Sequence, residues 1–381
     1  MTGNHLFWLM PSLMLPILAC AAPGCSEITL TVTASSEAHD IVAPNLNPAE
    51  PNFVDGLVNT VVGDVGRIWP IIPVEGTYDI SATFCEPEEY NDANAVQILS
   101  HGATYNKLYW SGLGLPEDQA TPYDWTRFAT NKGYAALAID RPGAGNSTHP
   151  DSVLEVQASL EAEVIHNIVQ QLRDGKVGGK KFSKIAYVGH SMGSLIGVRA
   201  TQLHPEDFDA LILTGWSANF VENFPKVLAG VLLPAAVEIP SRFSDLDPFY
   251  LVLTLQEVVR QFFYGPDGTF DPAIEQYNWD TRDAVGTGEL VSILAGTTET
   301  TYAGPVQIID GELDAAFCSP LGKCASGPDA PPGNTEPLFP NAESFTYEII
   351  PNTGHCLNVH LNAHDTFAVA HEFLRDVIEN A

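Results

Sequence analysis

Positive charge is what this sequence has least of. Seventeen Lys and Arg stand against 47 Asp and Glu, a formal charge of −30. That balance argues against a nucleic-acid partner, because phosphate contacts need clustered cations, and against anchoring on an anionic membrane surface. A long apolar run is missing as well. The best stretch, Leu6 to Ala19, is interrupted by Pro11 and Pro16 and falls short of the roughly 20 residues that span a bilayer, so no stable membrane insertion is expected. The same stretch, closed by the small-x-small site Ala19-Cys20-Ala21, reads as a secretory leader over residues 1–21. Localisation would then be extracellular or in the secretory lumen.

Cysteine is sparse, six in all, and no C-x-x-C or clustered His/Cys set occurs, so no structural zinc is expected. Beyond residue 21 five remain: Cys25, Cys85, Cys318, Cys324 and Cys356. An oxidising compartment favours disulfides. Cys318 and Cys324 flank a short loop and could pair locally, while Cys25 and Cys85 both border strand-like segments. Connectivity stays open at this level, and the odd count leaves one thiol over. There is no internal repeat.

Against these absences stands an apolar content of 45% with 17% charged residues, which is material for a large buried core. Residues 22–95 are strand-like and loop-rich. From Val96 short apolar strands alternate with helical runs: Val96–Leu99, Tyr134–Ile139, Ile185–Val188, Ala210–Leu213, Val306–Ile309 and Phe345–Ile350 as strands, with Val153–Leu172, Ser191–Leu203 and Thr366–Glu379 as helices. That alternation predicts an α/β fold with a mostly parallel sheet. Residues 218–303 break it, with helical pieces, no convincing strand and 12 aromatics in 86 residues. They read as a helical cap inserted into a core formed by 96–217 and 304–381, behind an N-terminal strand-rich extension.

The most informative stretch is Gly189-His190-Ser191-Met192-Gly193. It matches G-x-S-x-G, follows a predicted strand and opens a predicted helix, the context in which a serine is presented on a sharp turn as a nucleophile. Ser191 would sit at a helix N-terminus, where N–H groups favour a developing anion. A serine hydroxyl needs a base. Of the late histidines only His355 lies on a loop directly after a strand. His360, His364 and His371 read as packing or surface residues.

Here the chain resembles the α/β-hydrolase family, from about Val96 to the C-terminus. The resemblance is carried by the elbow, by Ser100-His101-Gly102-Ala103 and by Gly354-His355. The phrase His101 to Trp110 and the secreted layout are similar to fungal serine hydrolases, some of them associated with polyketide biosynthesis. The resemblance implies Asp314 as the acid, through the strand-Gly-x-x-Asp segment Val306 to Asp314, with Asp310 and Glu312 as competitors. It implies an oxyanion hole from the backbone N–H of Met192 and of Ala103, with Thr104 second, while His101 braces the loop. No cofactor is implied. Asp140 to Ser147, with the pattern G-x-G-N-S, lacks the third glycine of a dinucleotide fingerprint and reads as a structural loop in which Arg141 pairs with carboxylates. Asn146-Ser147-Thr148 is the one glycosylation sequon.

The expected function is a secreted serine hydrolase cleaving a neutral, small hydrophobic carboxylic ester or lactone. An epoxide-opening or cyclising enzyme of polyketide tailoring is an alternative. Family epoxide hydrolases carry Asp at the elbow, so Ser191 counts against their covalent route. A cofactor-free oxidative enzyme and a non-catalytic binding module on the same fold are further readings. In the cap, Phe262, Phe263 and Tyr264 are consecutive, so one helix face cannot bury all three; at least one should face solvent or the cleft.

Overall fold

Eight strands form one sheet in the order β1-β2-β4-β3-β5-β6-β10-β11. They are β1 (Cys25–His39), β2 (Ile71–Cys85), β3 (Ala95–Ser100), β4 (Ala135–Ile139), β5 (Lys184–His190), β6 (Ala210–Thr214), β10 (Val306–Gly311) and β11 (Phe345–Ile350). The computed structural model describes residues 24–41, 56, 69–218, 230–294, 298–318, 323–327 and 329–380; the expected leader lies outside them. The six strands from β4 to β11 in this order are mutually parallel. Strands β3 to β6 and β10 are buried along their lengths apart from Lys184. Helices covering both faces of a parallel sheet explain why these strands read as apolar runs and not as alternations.

The strand-rich N-terminal stretch is present as a long hairpin that continues this sheet. β1 pairs antiparallel with β2 over 15 residues, from Cys25 opposite Cys85 to His39 opposite Ile71, and β2 pairs antiparallel with β4. Cys25 and Cys85 are joined by a disulfide at the end of that ladder. The alternation of Ile28 to Thr33 follows from this edge position: Leu30 and Val32 are buried against the helix Ala158–Asp174 while Thr29, Thr31 and Thr33 are exposed. That helix starts later than its apolar spacing suggested. The Asp151 carboxylate accepts the N–H groups of Val153 and Leu154, holding the preceding residues in a turn, and Gly175 at φ +79° ends the helix in the left-handed conformation.

Between β6 and β10, which are neighbours in the sheet, the chain makes an excursion spanning the predicted cap. It carries helices Gln256–Phe263, Pro272–Thr281 and Thr287–Leu294. It also has three short strands that the sequence reading lacked: β7 (Leu232–Pro234), β8 (Tyr250–Leu253) and β9 (Val285–Gly286) form a small antiparallel sheet. Runs of two to four residues among prolines and aromatics give no legible period-two pattern. Residues 219–229, with Phe220 and Phe224, lie outside the described residues.

Candidate active site

The carboxyl ends of β5, β10 and β11 each deliver one polar side chain to the same place, outside the sheet edge where ligands bind in open α/β folds. Ser191 follows β5 directly and adopts φ +52°, ψ −113°, a region a non-glycine residue enters only when its surroundings enforce it. The enforcement is visible. The Ser191 N–H donates to Thr214 O at 2.8 Å, and the helix Met192–Leu203 starts at once. A Cβ on Gly189 would come within 2.6 Å of Gly193 O, and one on Gly193 within 2.2 Å of Ser100 O. The bend is thus backbone packed on backbone.

His355 Nε2 lies 2.9 Å from Ser191 Oγ, and His355 Nδ1 lies 2.7 Å from Asp314 Oδ2. An ionised Asp314 fixes the tautomer: Nδ1 carries the proton, and Nε2 is left to accept from the serine. Asp314 is fully buried. Its other oxygen accepts the N–H groups of Ala316 at 2.7 Å and Phe317 at 2.9 Å. Burial works to raise the Asp314 pKa, but His355 and the hydrogen bonds outweigh it and hold it below its ordinary value. Of the two competing acids, Glu312 points elsewhere, accepting from Asn352 N and Lys323 Nζ. Asp310 is buried in β10, just before Gly311. The rings of Phe263 and Phe317 lie 5.0 and 5.5 Å from the His355 ring, so the imidazole is flanked by apolar surface.

The loop after β3 runs alongside the serine: a Cβ on Gly102 would come within 3.1 Å of Ser191 Cβ. Among the described residues, neither the Met192 N–H nor the Ala103 N–H donates to another protein group. Thr104 is at φ +60°, and its carbonyl accepts the Asp283 N–H from the inserted segment at 2.7 Å. His101 braces this loop as expected. Its Nδ1 is 2.8 Å from Gly102 O and its Nε2 accepts the Arg141 N–H at 3.2 Å. Burial, with the nearby Arg141 charge, keeps its pKa well below the ordinary value and so keeps the ring neutral.

Arg141 does pair with carboxylates, and more widely than the sequence could indicate. Its guanidinium donates to the carbonyls of His101 and Gly102, to Glu161 Oε2 at 2.6 Å and to Glu289. All three charged residues are buried. Burial, only partly offset by Arg141, pushes Glu161 up to about 8. Glu289 lies 148 positions from Arg141, so no local pattern marks the pair.

The remaining candidates fall into place singly. Cys318 pairs with Cys324 just beyond Asp314, and Cys356 is the free, buried thiol. His360 and His371 are buried packing residues and His364 is exposed. Asn146 is exposed on the loop after β4. Away from the site, His166, His204 and Asp207 lie close together, with His166 Nδ1 on Asp207 and His204 Nε2 on Glu163. A small cleft opens beside Phe263, lined by Tyr105, Leu253, Val259, Phe263, Tyr264 and Trp279 together with the polar Thr104, Glu275, Asn278 and Arg282. Two members of the aromatic trio line it, Phe263, which is half-buried, and Tyr264, which is buried. No helix among the described residues is long and apolar enough to cross a membrane.

No curated relative matches the chain by sequence. Solved structures do match in fold. A bromoperoxidase from Bacillus anthracis has a TM-score of 0.52 at 17% identity, covering 79% of this chain and 96% of its own. An esterase from the thermophile Thermogutta terrifontis, solved with malate, gives 0.52 at 16% over 79% and 95%. An esterase from Exiguobacterium antarcticum gives 0.52 at 15% over 78% and 96%. At such identities these likenesses concern the fold alone. The family model described as the alpha/beta hydrolase family matches residues 97–370, and with well over half of its length matched the chain belongs to that family.

Proposed function

We propose that this protein is a secreted serine hydrolase that cleaves a neutral, hydrophobic carboxylic ester or lactone, with Ser191 as nucleophile, His355 as base and Asp314 as orienting acid. The observation that carries this reading is the hydrogen-bonded line from Ser191 Oγ through His355 to Asp314, with Ser191 at φ +52°. Ser191 Oγ attacks the carbonyl carbon as His355 Nε2 takes its proton, and Asp314 stabilises the imidazolium so formed. The negative oxygen of the tetrahedral intermediate is bound by the N–H of Met192, at the start of a helix, and that of Ala103, on the loop after β3, and each donor contributes about 2.7–4 kcal/mol to the transition state. His355 then returns the proton to the leaving alkoxide. Water, deprotonated by the same nitrogen, releases the acid and restores the serine.

The substrate class rests on the inserted segment. Residues 218–303, which we take as the cap, hold four basic residues against twelve acidic ones, and the cleft beside Phe263, whose ring lies 5.0 Å from that of His355, carries six aromatic or aliphatic residues beside Thr104, Glu275, Asn278 and Arg282. Apolar acyl groups of polyketide or lipid character suit such walls, since each buried methylene contributes about 0.8 kcal/mol. Two disulfides accord with export behind a leader at 1–21, and the exposed Asn146 would be open to glycosylation. A panel of aryl and alkyl esters, lactones and epoxides, assayed with wild type and Ser191→Ala, tests the reading. Rates should rise from acetyl to longer acyl esters and vanish in the variant. Preference for charged, sugar-like acetates, or turnover of epoxides alone, would contradict it.

A further inference from the structure

The proposed catalysis gives no role to the buried acid nearest Asp314 in the chain, Asp310. Asp310, the last residue but one of β10, lies four residues before Asp314 and is fully buried. Its Oδ1 accepts the Gly311 N–H at 2.9 Å, but its Oδ2, also buried, has no donor to accept from. The group within hydrogen-bond reach is the Asp314 carboxyl. Two carboxylates cannot hydrogen-bond to each other; the contact exists only when one of them carries a proton. Asp314 is the one bound to accept, since it already faces His355 Nδ1–H and two backbone N–H groups. The proton therefore belongs on Asp310.

The surroundings agree. Asp314 is the charge that acts on Asp310, and no Lys or Arg neutralises it. His355, His360, Cys356 and Tyr109 are the other titratable groups that interact with Asp314. Burial and the Asp314 charge both push Asp310 well above the ordinary carboxyl range. A like-charged, buried carboxyl pair sharing one proton is the expected result.

We infer that Asp310 is protonated in the folded protein and donates a hydrogen bond to Asp314, making it a positioning residue for the acid that orients His355. This rests on the triad reading in its consequence for activity, but not in its consequence for protonation. A neutral donor spreads the charge on Asp314 and fixes its carboxylate plane. Without it Asp314 is a stronger base toward the imidazolium, so His355 should hold its proton to higher pH.

Two variants test this, Asp310→Asn and Asp310→Ala, by thermal unfolding and by kcat/KM against pH. Thermal unfolding is run in the Ser191→Ala background, where catalysis plays no part. The unfolded chain releases the Asp310 proton above its ordinary range while the folded state keeps it, so the wild-type residue costs stability as pH rises. The amide of Asp310→Asn keeps a donor and does not ionise. Its melting temperature should exceed that of the parent by a margin that grows from pH 5 to pH 8. A margin that is flat, or shrinks, overturns the proton assignment whatever the fate of the triad reading. In the active protein Asp310→Ala should lower kcat about tenfold, the size of one hydrogen bond to a charged group, with KM within about twofold and the acid limb displaced to higher pH. Asp310→Asn should recover most of that loss. Equal loss in both variants, or an acid limb unmoved in Asp310→Ala, overturns the positioning role. Should Asp310→Ala not fold, the pH-dependent margin of Asp310→Asn still decides.

Discussion

Glu289, on a helix of the inserted segment, is ion-paired with Arg141, whose guanidinium also donates to the carbonyls of His101 and Gly102. One buried cation therefore ties the inserted segment to the loop proposed to hold the oxyanion. It faces two acidic side chains, Glu161 and Glu289, so loss of the cation and loss of one acid are not equivalent. Arg141→Met would leave two buried acids and two carbonyls without their donor, and should cost about 3–5 kcal/mol. Glu289→Gln leaves Arg141 paired with Glu161, and should cost about 1 kcal/mol or less. Denaturant midpoints would rank them, and the reverse ranking would show that Arg141 is not the hub.

The same cluster makes stability depend on pH. The unfolded chain releases the Glu161 proton near the ordinary glutamate value of about 4.3, whereas the folded protein holds it to about 8. The folded state binds more protons between these values, so stability should fall as pH rises through that window and level off above it. Glu161→Gln should reduce the slope of unfolding free energy against pH. An unchanged slope would mean that Glu161 is ionised in the fold.

The two disulfides should differ in what they hold. Cys25 and Cys85 are 60 residues apart in sequence, and Cys318 and Cys324 only six. Loop-closure entropy gives about 4 kcal/mol for the first and about 2 kcal/mol for the second. The second, however, borders the Asp314 loop, where Cys324 N–H donates to Glu312 O at 2.6 Å. Replacing Cys318 and Cys324 by serine should lower kcat more than it lowers the unfolding free energy. Replacing Cys25 and Cys85 should do the opposite. Equal effects of both pairs on kcat would remove the local role.

How far the sequence could be read follows from the range of the interactions. Ser191 and His355 were legible because each sits on a strand-to-loop junction whose neighbours in sequence, Gly189 and Gly193 or Gly354, are required by local crowding. The parallel strands were legible because burial on both faces leaves apolar runs. Asp314 was reached through a family pattern, because three acids within five positions look alike until the fold brings one of them, Asp314, against His355. Glu289 was not legible as a partner of Arg141, since only the folded chain brings them together. The small strands β7 to β9 are too short to display a period. The place of β1 and β2 in the main sheet depends on pairing between β2 and β4, which nothing in either strand announces.

Phe263 both lines the cleft and flanks the His355 ring, so it should act on specificity more than on chemistry. Phe263→Ala should lower kcat/KM for long acyl or aryl esters by about tenfold or more, the loss of a buried aromatic contact. Acetyl esters should change much less. A uniform loss across chain lengths would place Phe263 in support of His355 and not in the acyl pocket.

The central claim is that Ser191 is a nucleophile activated by His355. Its most direct measurement is covalent labelling with a fluorophosphonate, followed by intact mass and peptide mapping. The wild type should gain one adduct, located on Ser191, and lose ester hydrolysis in proportion. His355→Ala should label far more slowly, and Ser191→Ala should neither label nor hydrolyse while keeping the wild-type melting temperature. An unlabelled wild type, or a Ser191→Ala variant that hydrolyses the same esters at the wild-type rate, would contradict the account.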